Sequence, residues 1–169
     1  MKANKNRIIL LYFTSVTALL LLTAFTNKIK QARMSESTGN GLVLKNSPLD
    51  FETTYTNLKN TIDNNPNLKI MLEIDHSKNA SSKGLDLRPT KVILFGNPML
   101  GTALMKNSAT TAIDLPQKVV VYQLEDGTVQ IGYNDPAYLK ERHGIMEQEE
   151  ILQKISNALN MITNKAIEK

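Results

Sequence analysis

Two strand-like runs, residues 118–124 (KVVVYQL) and 128–133 (TVQIGY), flank Glu125-Asp126-Gly127. A three-residue link with Gly between two such runs is a strong hairpin signal. An antiparallel pair is therefore the element from which the rest of the fold is read. Residues 91–95 (KVILF) are a second clear strand, and residues 68–74 and 41–45 are also β-like.

Two amphipathic helices accompany these strands. Phe51, Tyr55, Leu58 and Ile62 fall on one helical face, behind the capping pattern Ser47-Pro48-Leu49-Asp50 with Pro at the first helical position. Asn64-Asn65-Pro66 ends that helix. A final helix spans residues 147–166, with Ile151, Ile155, Leu159 and Ile162 as its apolar stripe. Asn134-Asp135-Pro136 opens a short helix that Gly144 stops. The order predicts an α+β fold: a small two-layer sandwich, mostly antiparallel sheet with helices on one face. It occupies residues 41–169 as one domain.

Residues 8–25 (IILLYFTSVTALLLLTAF) contain no charge. As a helix they span about 27 Å, close to a hydrocarbon core of roughly 30 Å. Lys2, Lys5 and Arg7 precede them, as in the basic region of a signal peptide. Residues 1–26 are thus expected to be a signal peptide or an uncleaved transmembrane signal-anchor helix. Residues 27–40, polar and small, are expected to be a tether. The expected location is the cell envelope, membrane-anchored or periplasmic.

The formal charge of +4 is local. Twenty basic residues less those three leave 17 against 16 acidic ones. Aromatic residues make up 5% of the chain, and no basic face is visible, which argues against nucleic acid. No cysteine is present, so disulfides, thiolate metal sites and cysteine nucleophiles are excluded.

Several motifs occur in order: GLVLKNSPLDFETTYTNLKNTI, IDHSKNA (residues 74–80), FGNPMLGTALM (95–105), DLPQK (114–118) and YNDPAYLKERHG (133–144). Together they resemble the bacterial and archaeal family called domain of unknown function 302, over residues 41–166. The resemblance implies a small α+β domain in the fold class of the TATA-box-binding protein. It implies no activity, and DNA binding does not follow from a fold class.

The motifs offer candidate sites. Gly96 and Gly101, with Thr102 next, approach the phosphate loop G-x-x-x-x-G-K-[ST]. The loop's Lys is missing and Pro98 lacks an N–H donor. A strand-to-helix turn begun by Asn97-Pro98, with Thr102 capping a helix that contains Met105, is the expectation. Asp75-His76 reads either as a carboxylate-oriented imidazole or as a cap beside a half-buried His in a loop. His143, before Gly144, suits a helix C-terminus. Asp135 is an N-cap. His76, His143 and Met105 offer an alternative metal or haem ligand set. Asp75, Asp114 and Asp135 would make an acid–base site only if they converged.

The leading expectation is a ligand- or partner-binding module, not an enzyme, with one pocket lined by Asp75, His76, Asn97, Thr102, Met105 and His143. Alternatives are a metal- or haem-binding protein using His76, His143 and Met105, an enzyme with an Asp/His acid–base site, and an interaction module that self-associates through its sheet as a homodimer. No cofactor is assigned.

Overall fold

The computed structural model describes Glu36–Ser37 and residues 40–169. The expectations for residues 8–25, and for most of the tether, lie outside the described residues. Among the described residues no helix is long and apolar enough to cross a membrane. The chain divides into two units, Met1–Glu36 and Ser37–Lys169, and the fold below is that of the second.

In chain order the elements are β1 (Glu36–Ser37), β2 (Leu42–Ser47), α1 (Phe51–Asp63), β3 (Lys69–Asp75), α2 (His76–Ser81), β4 (Thr90–Gly96) and α3 (Pro98–Asn107). A 3-10 turn, η1 (Ala109–Ile113), follows. Then come β5 (Gln117–Gln123), β6 (Val129–Asn134), α4 (Pro136–His143) and α5 (Glu149–Ala166). The sheet order is β1-β2-β6-β5-β4-β3. From β2 to β3 every neighbouring pair is antiparallel. This is the expected α+β architecture.

The hairpin β5–β6 forms where the sequence places it. Gly127 takes φ 84, Thr128 N donates to Asp126 Oδ1 at 2.9 Å, and Leu124 N donates to Thr128 O at 2.8 Å. That geometry sets the register Gln123↔Val129, Val121↔Ile131, Val119↔Tyr133. Period-two alternation then sends Val119, Val121, Ile131 and Tyr133 to one face, joined by Ile93 and Phe95 of β4 and Val43 of β2. All seven are buried. The opposite positions Leu44, Val92, Leu94 and Val120 are half-buried.

Helices α1 and α5 supply the other half of the core through Phe51, Tyr55, Leu58, Ile62, Leu152, Ile155, Leu159 and Ile162. Each fully buried aliphatic side chain contributes roughly 1.5–3 kcal/mol relative to exposure.

Two local expectations are corrected. The N-cap of α1 is Asp50, three residues beyond Ser47. Its carboxylate accepts from Thr53 N at 2.9 Å and from Thr53 Oγ1 at 2.7 Å. Ser47 still belongs to β2, and Leu49 N donates to its hydroxyl at 3.2 Å. In α5 the buried stripe begins at Leu152 and continues through Ile155, Leu159, Ile162 and Ala166. Ile151 is half-buried on its flank because the stripe follows a three–four spacing set by contact with α1.

Candidate functional site

β4 runs out at Gly96, and the chain turns directly into a helix. Asn97 is the N-cap of α3, its Oδ1 accepting from Met99 N at 2.9 Å, and Gly101 N donates to Asn97 O at 3.0 Å. Pro98 sits in the first helical turn, where a missing N–H costs nothing. The glycine-rich stretch is therefore the strand-to-helix turn expected of it. Its capping residue is Asn97 and not Thr102, which lies exposed inside the helix. Asn97 wins because it is the residue with extended backbone immediately before the helix.

A cavity of about 300 Å³ opens beside this turn. Phe95 and Gly96 form one side and Met105 of α3 another. Leu115 and Pro116 of the link between η1 and β5 close it with Gln117, the first residue of β5, and Ile155, Ala158 and Leu159 of α5 complete it. Met71 also reaches it, from the point where the β3–β4 register shifts between Ile70 and Leu72.

Among the described residues, no ionisable side chain lines this cavity. Its polar side chains are Asn97, whose Oδ1 is taken by the cap, the exposed Thr102, and Gln117. Gln117 is only 7% exposed, and its Nε2 has no hydrogen-bond partner. An unsatisfied buried amide costs about 1–3 kcal/mol. The surroundings are apolar too: Met71, Met99 and Ile113 are strongly exposed.

A second depression, about 550 Å³, lies between the C-terminal ends of α1 and α5 and is lined by amides such as Asn57, Asn60 and Asn64. It has no comparable apolar wall.

The six residues expected to share one pocket fall into three places. Asn97, Thr102 and Met105 line the cavity. Asp75 pairs with Lys91 near the opposite end of β4 from Gly96, roughly 17 Å away along the strand. There it is the N-cap of α2, accepting from Lys78 N and Ser77 Oγ, both at 2.8 Å. The Lys78 amide holds its carboxyl below the ordinary range, opposed by desolvation. His76 is the exposed first residue of α2, a helix where a loop was expected.

His143 ends α4 before Gly144, which adopts φ 61. Its Nε2 meets Asp114 Oδ2 at 2.6 Å, and its Nδ1 meets Thr110 Oγ1 at 3.0 Å. Arg142 adds a 3.5 Å contact to the same carboxylate. The His143 side chain is 3% exposed and lines no part of the cavity. This cluster ties the end of α4 to η1, just before the segment that carries Gln117.

The expected metal or haem set therefore does not assemble: His76 and His143 stand at opposite ends of the sheet, and Met105 faces the cavity without either. Among the described residues no group of three or more His, Asp or Glu is arranged to hold a metal ion. Asp135 caps α4 through Ala137 N at 2.9 Å, and Asp75 is remote from Asp114, so the three carboxylates do not converge.

Sequence reasoning missed Gln117 as a site residue. The signal was present, since Gln117, Val119 and Val121 share one strand parity, and that parity is the core face.

A family model described as "Domain of unknown function DUF302" matches residues 43–162. Among curated proteins, the chain is 38% identical over 78 residues to "Fluoride-specific ion channel FluC 1" of Brucella suis biovar 1 (strain 1330), covering 46% of this chain and 31% of that protein. "Fluoride-specific ion channel FluC 2" of Brucella melitensis biotype 1 is also 38% identical over 78 residues, covering 46% and 29%. The match thus spans less than a third of these relatives. Among solved structures, the crystal structure of an uncharacterized conserved DUF302 protein from Bacillus stearothermophilus superimposes with a TM-score of 0.66 at 20% identity, over 75% of this chain and 98% of that one. That likeness is one of fold alone.

Proposed function

The chain belongs to the DUF302 family, whose description assigns no activity, and from that premise we propose that it is a non-catalytic binding module that takes up a small, uncharged, apolar molecule in the cavity beside Gly96. One observation carries this reading: a cavity of about 300 Å³ with apolar walls and, among the described residues, no ionisable one in its lining. Acid–base or nucleophilic chemistry needs a titratable or activated group facing the reacting atom. This cavity offers none. Small-ligand sites are mostly apolar clefts with a few placed polar groups, and this one fits that pattern.

The Brucella relatives are named as fluoride channels. The shared stretch is too small a part of them for ion conduction to be carried over. An apolar cavity without a cation also suits a small hydrated anion poorly.

The uncharged run at residues 8–25 extends the proposal to location, with the domain tethered at the cell envelope outside the cytoplasm. Alkaline phosphatase fused after Lys169 would then be active in cells. An inactive, stably expressed fusion would refute the export.

The binding reading is tested by native mass spectrometry of the full chain purified from cells, beside Ala158→Trp. Ala158 lines the cavity from α5, and an indole there fills much of it. The expected result is a neutral small-molecule adduct on the parent chain that is absent from the variant, with both folded by circular dichroism. An adduct retained by the variant, or a parent chain that carries none and binds no neutral apolar probe, overturns the reading.

A further inference from the structure

We infer that the ligand presents one hydrogen-bond acceptor, a carbonyl or similar oxygen, to Gln117 Nε2, and is otherwise a hydrocarbon body of about ten to twelve heavy atoms. This deepens the binding reading above and rests on it.

Three observations converge on Gln117. It lines the cavity at the first position of β5, opposite Phe95. It is more than nine-tenths buried. Its Nε2 is one of only two buried side-chain polar atoms without a partner among the described residues. Apart from Thr111 Oγ1, which does not line the cavity, the other buried polar groups of the described core are served: Lys45 Nζ reaches Asn160, Thr163 and Asn164, and Thr163 Oγ1 donates to Leu159 O. Folded proteins rarely leave a buried donor unmet unless something else meets it. Nε2 is closed off in this structure, so a ligand oxygen in the cavity meets it through a turn of the Gln117 side-chain amide.

The rest of the ligand's character comes from the walls. With no cationic side chain in the lining, a carboxylate or phosphate would be buried unpaired, which is strongly unfavourable. With no carboxylate there, an ammonium group fares no better. Gln117 is the one buried polar side chain of the lining, with Asn97 half-buried and Thr102 exposed, so the ligand oxygen is assigned to it. Size follows from volume: an engineered apolar cavity of roughly 150 Å³ accepts benzene, so about twice that volume accepts a bicyclic or ten-carbon body.

The test uses the full chain and three probes on one bicyclic frame: 2-tetralone, with a ketone oxygen, tetralin, which lacks it, and 2-aminotetralin, which carries an ammonium group at neutral pH. Isothermal titration calorimetry measures each affinity. The expected result is 2-tetralone binding about tenfold more tightly than tetralin, as one satisfied buried donor implies, with 2-aminotetralin not binding. In Gln117→Met, similar in length and apolar, the ketone preference should vanish while tetralin still binds. Equal affinity for 2-tetralone and tetralin on the parent chain overturns the Gln117 assignment and leaves the cavity reading standing. Failure of both to bind overturns both. The parent-chain comparison needs no variant to fold.

Discussion

Lys45 shows what one side chain decides. It sits on β2 at core-facing parity, 2% exposed, and among the described residues no carboxylate answers it. Its Nζ donates to Thr163 Oγ1 at 2.7 Å, Asn164 Oδ1 at 2.7 Å and Asn160 Oδ1 at 2.8 Å. These partners are neutral, and burial pushes the amine down to about 8 from 10.5. The unfolded chain keeps this amine charged up to about 10.5, whereas the native state disfavours the charge. Stability is therefore lost as pH falls from 10.5 through 8, and regained as pH rises through that window, by an amount on the order of 3 kcal/mol. Tyr55 and Tyr133 act oppositely, because burial raises both phenols and lowers stability above about pH 10. Urea unfolding of the parent chain against Lys45→Met, from pH 7.5 to 10, should show the parent gaining on the variant as pH rises. A constant difference would contradict the argument. Gly41 poses a steric question instead. It takes φ 81, and a Cβ there would lie 2.3 Å from Tyr138 Cγ, while Gly127 takes φ 84 with open space around it. Gly41→Ala should cost more than the roughly 1–2 kcal/mol of backbone strain expected for Gly127→Ala, and matching denaturation midpoints for the two would count against a packed Tyr138.

At the scale of elements, the ends of helices carry the testable content. Asn97→Ala removes the cap of α3 and should cost about 1 kcal/mol, whereas Thr102→Ala should stay within about 0.5 kcal/mol. Chemical denaturation of the two variants distinguishes them, and a larger loss at Thr102 would contradict the observed cap. His143 joins the end of α4 to η1 through Asp114 and Thr110. His143→Ala leaves Asp114, 11% exposed, with only the longer Arg142 contact. A loss of about 1–3 kcal/mol is expected, with faster amide exchange in η1 than in α1. Unchanged exchange in η1 would mean that the cluster holds nothing in place. Helix types and hairpin position were legible in the sequence because caps, prolines and glycines act locally. Cap identities were less legible, since Ser47 or Asp50, and Thr102 or Asn97, are separated only by where the preceding strand ends, and strand pairing sets that.

Across the whole molecule, β5 is hydrogen-bonded on both sides and carries the buried Val119 and Val121, while β3 closes the sheet's far end. Amides of β5 should exchange only through global unfolding, and those of β3 through smaller openings. Equal protection across the two would contradict this ordering. The cavity belongs to this scale as well. Its walls come from β3, β4, α3, the link into β5, and α5, which are as much as about ninety residues apart in the chain. Hence the expected six-residue pocket separated. His76 and Asn97 both flank β4, and a strand of seven residues carries its two ends roughly 20 Å apart.

The chain by itself determined the α+β class, the hairpin, the two core helices, the turn after Phe95 and the cap before Ala137. Each follows from a periodicity or a cap that operates over a few residues. Only the tertiary structure decided that Asn97 and Met105 share a cavity with Ala158 of α5, that His143 pairs with Asp114, and that Gln117 is buried with a donor to spare. Those facts depend on which distant segments the sheet and its helices bring into contact, and no local pattern encodes that distance.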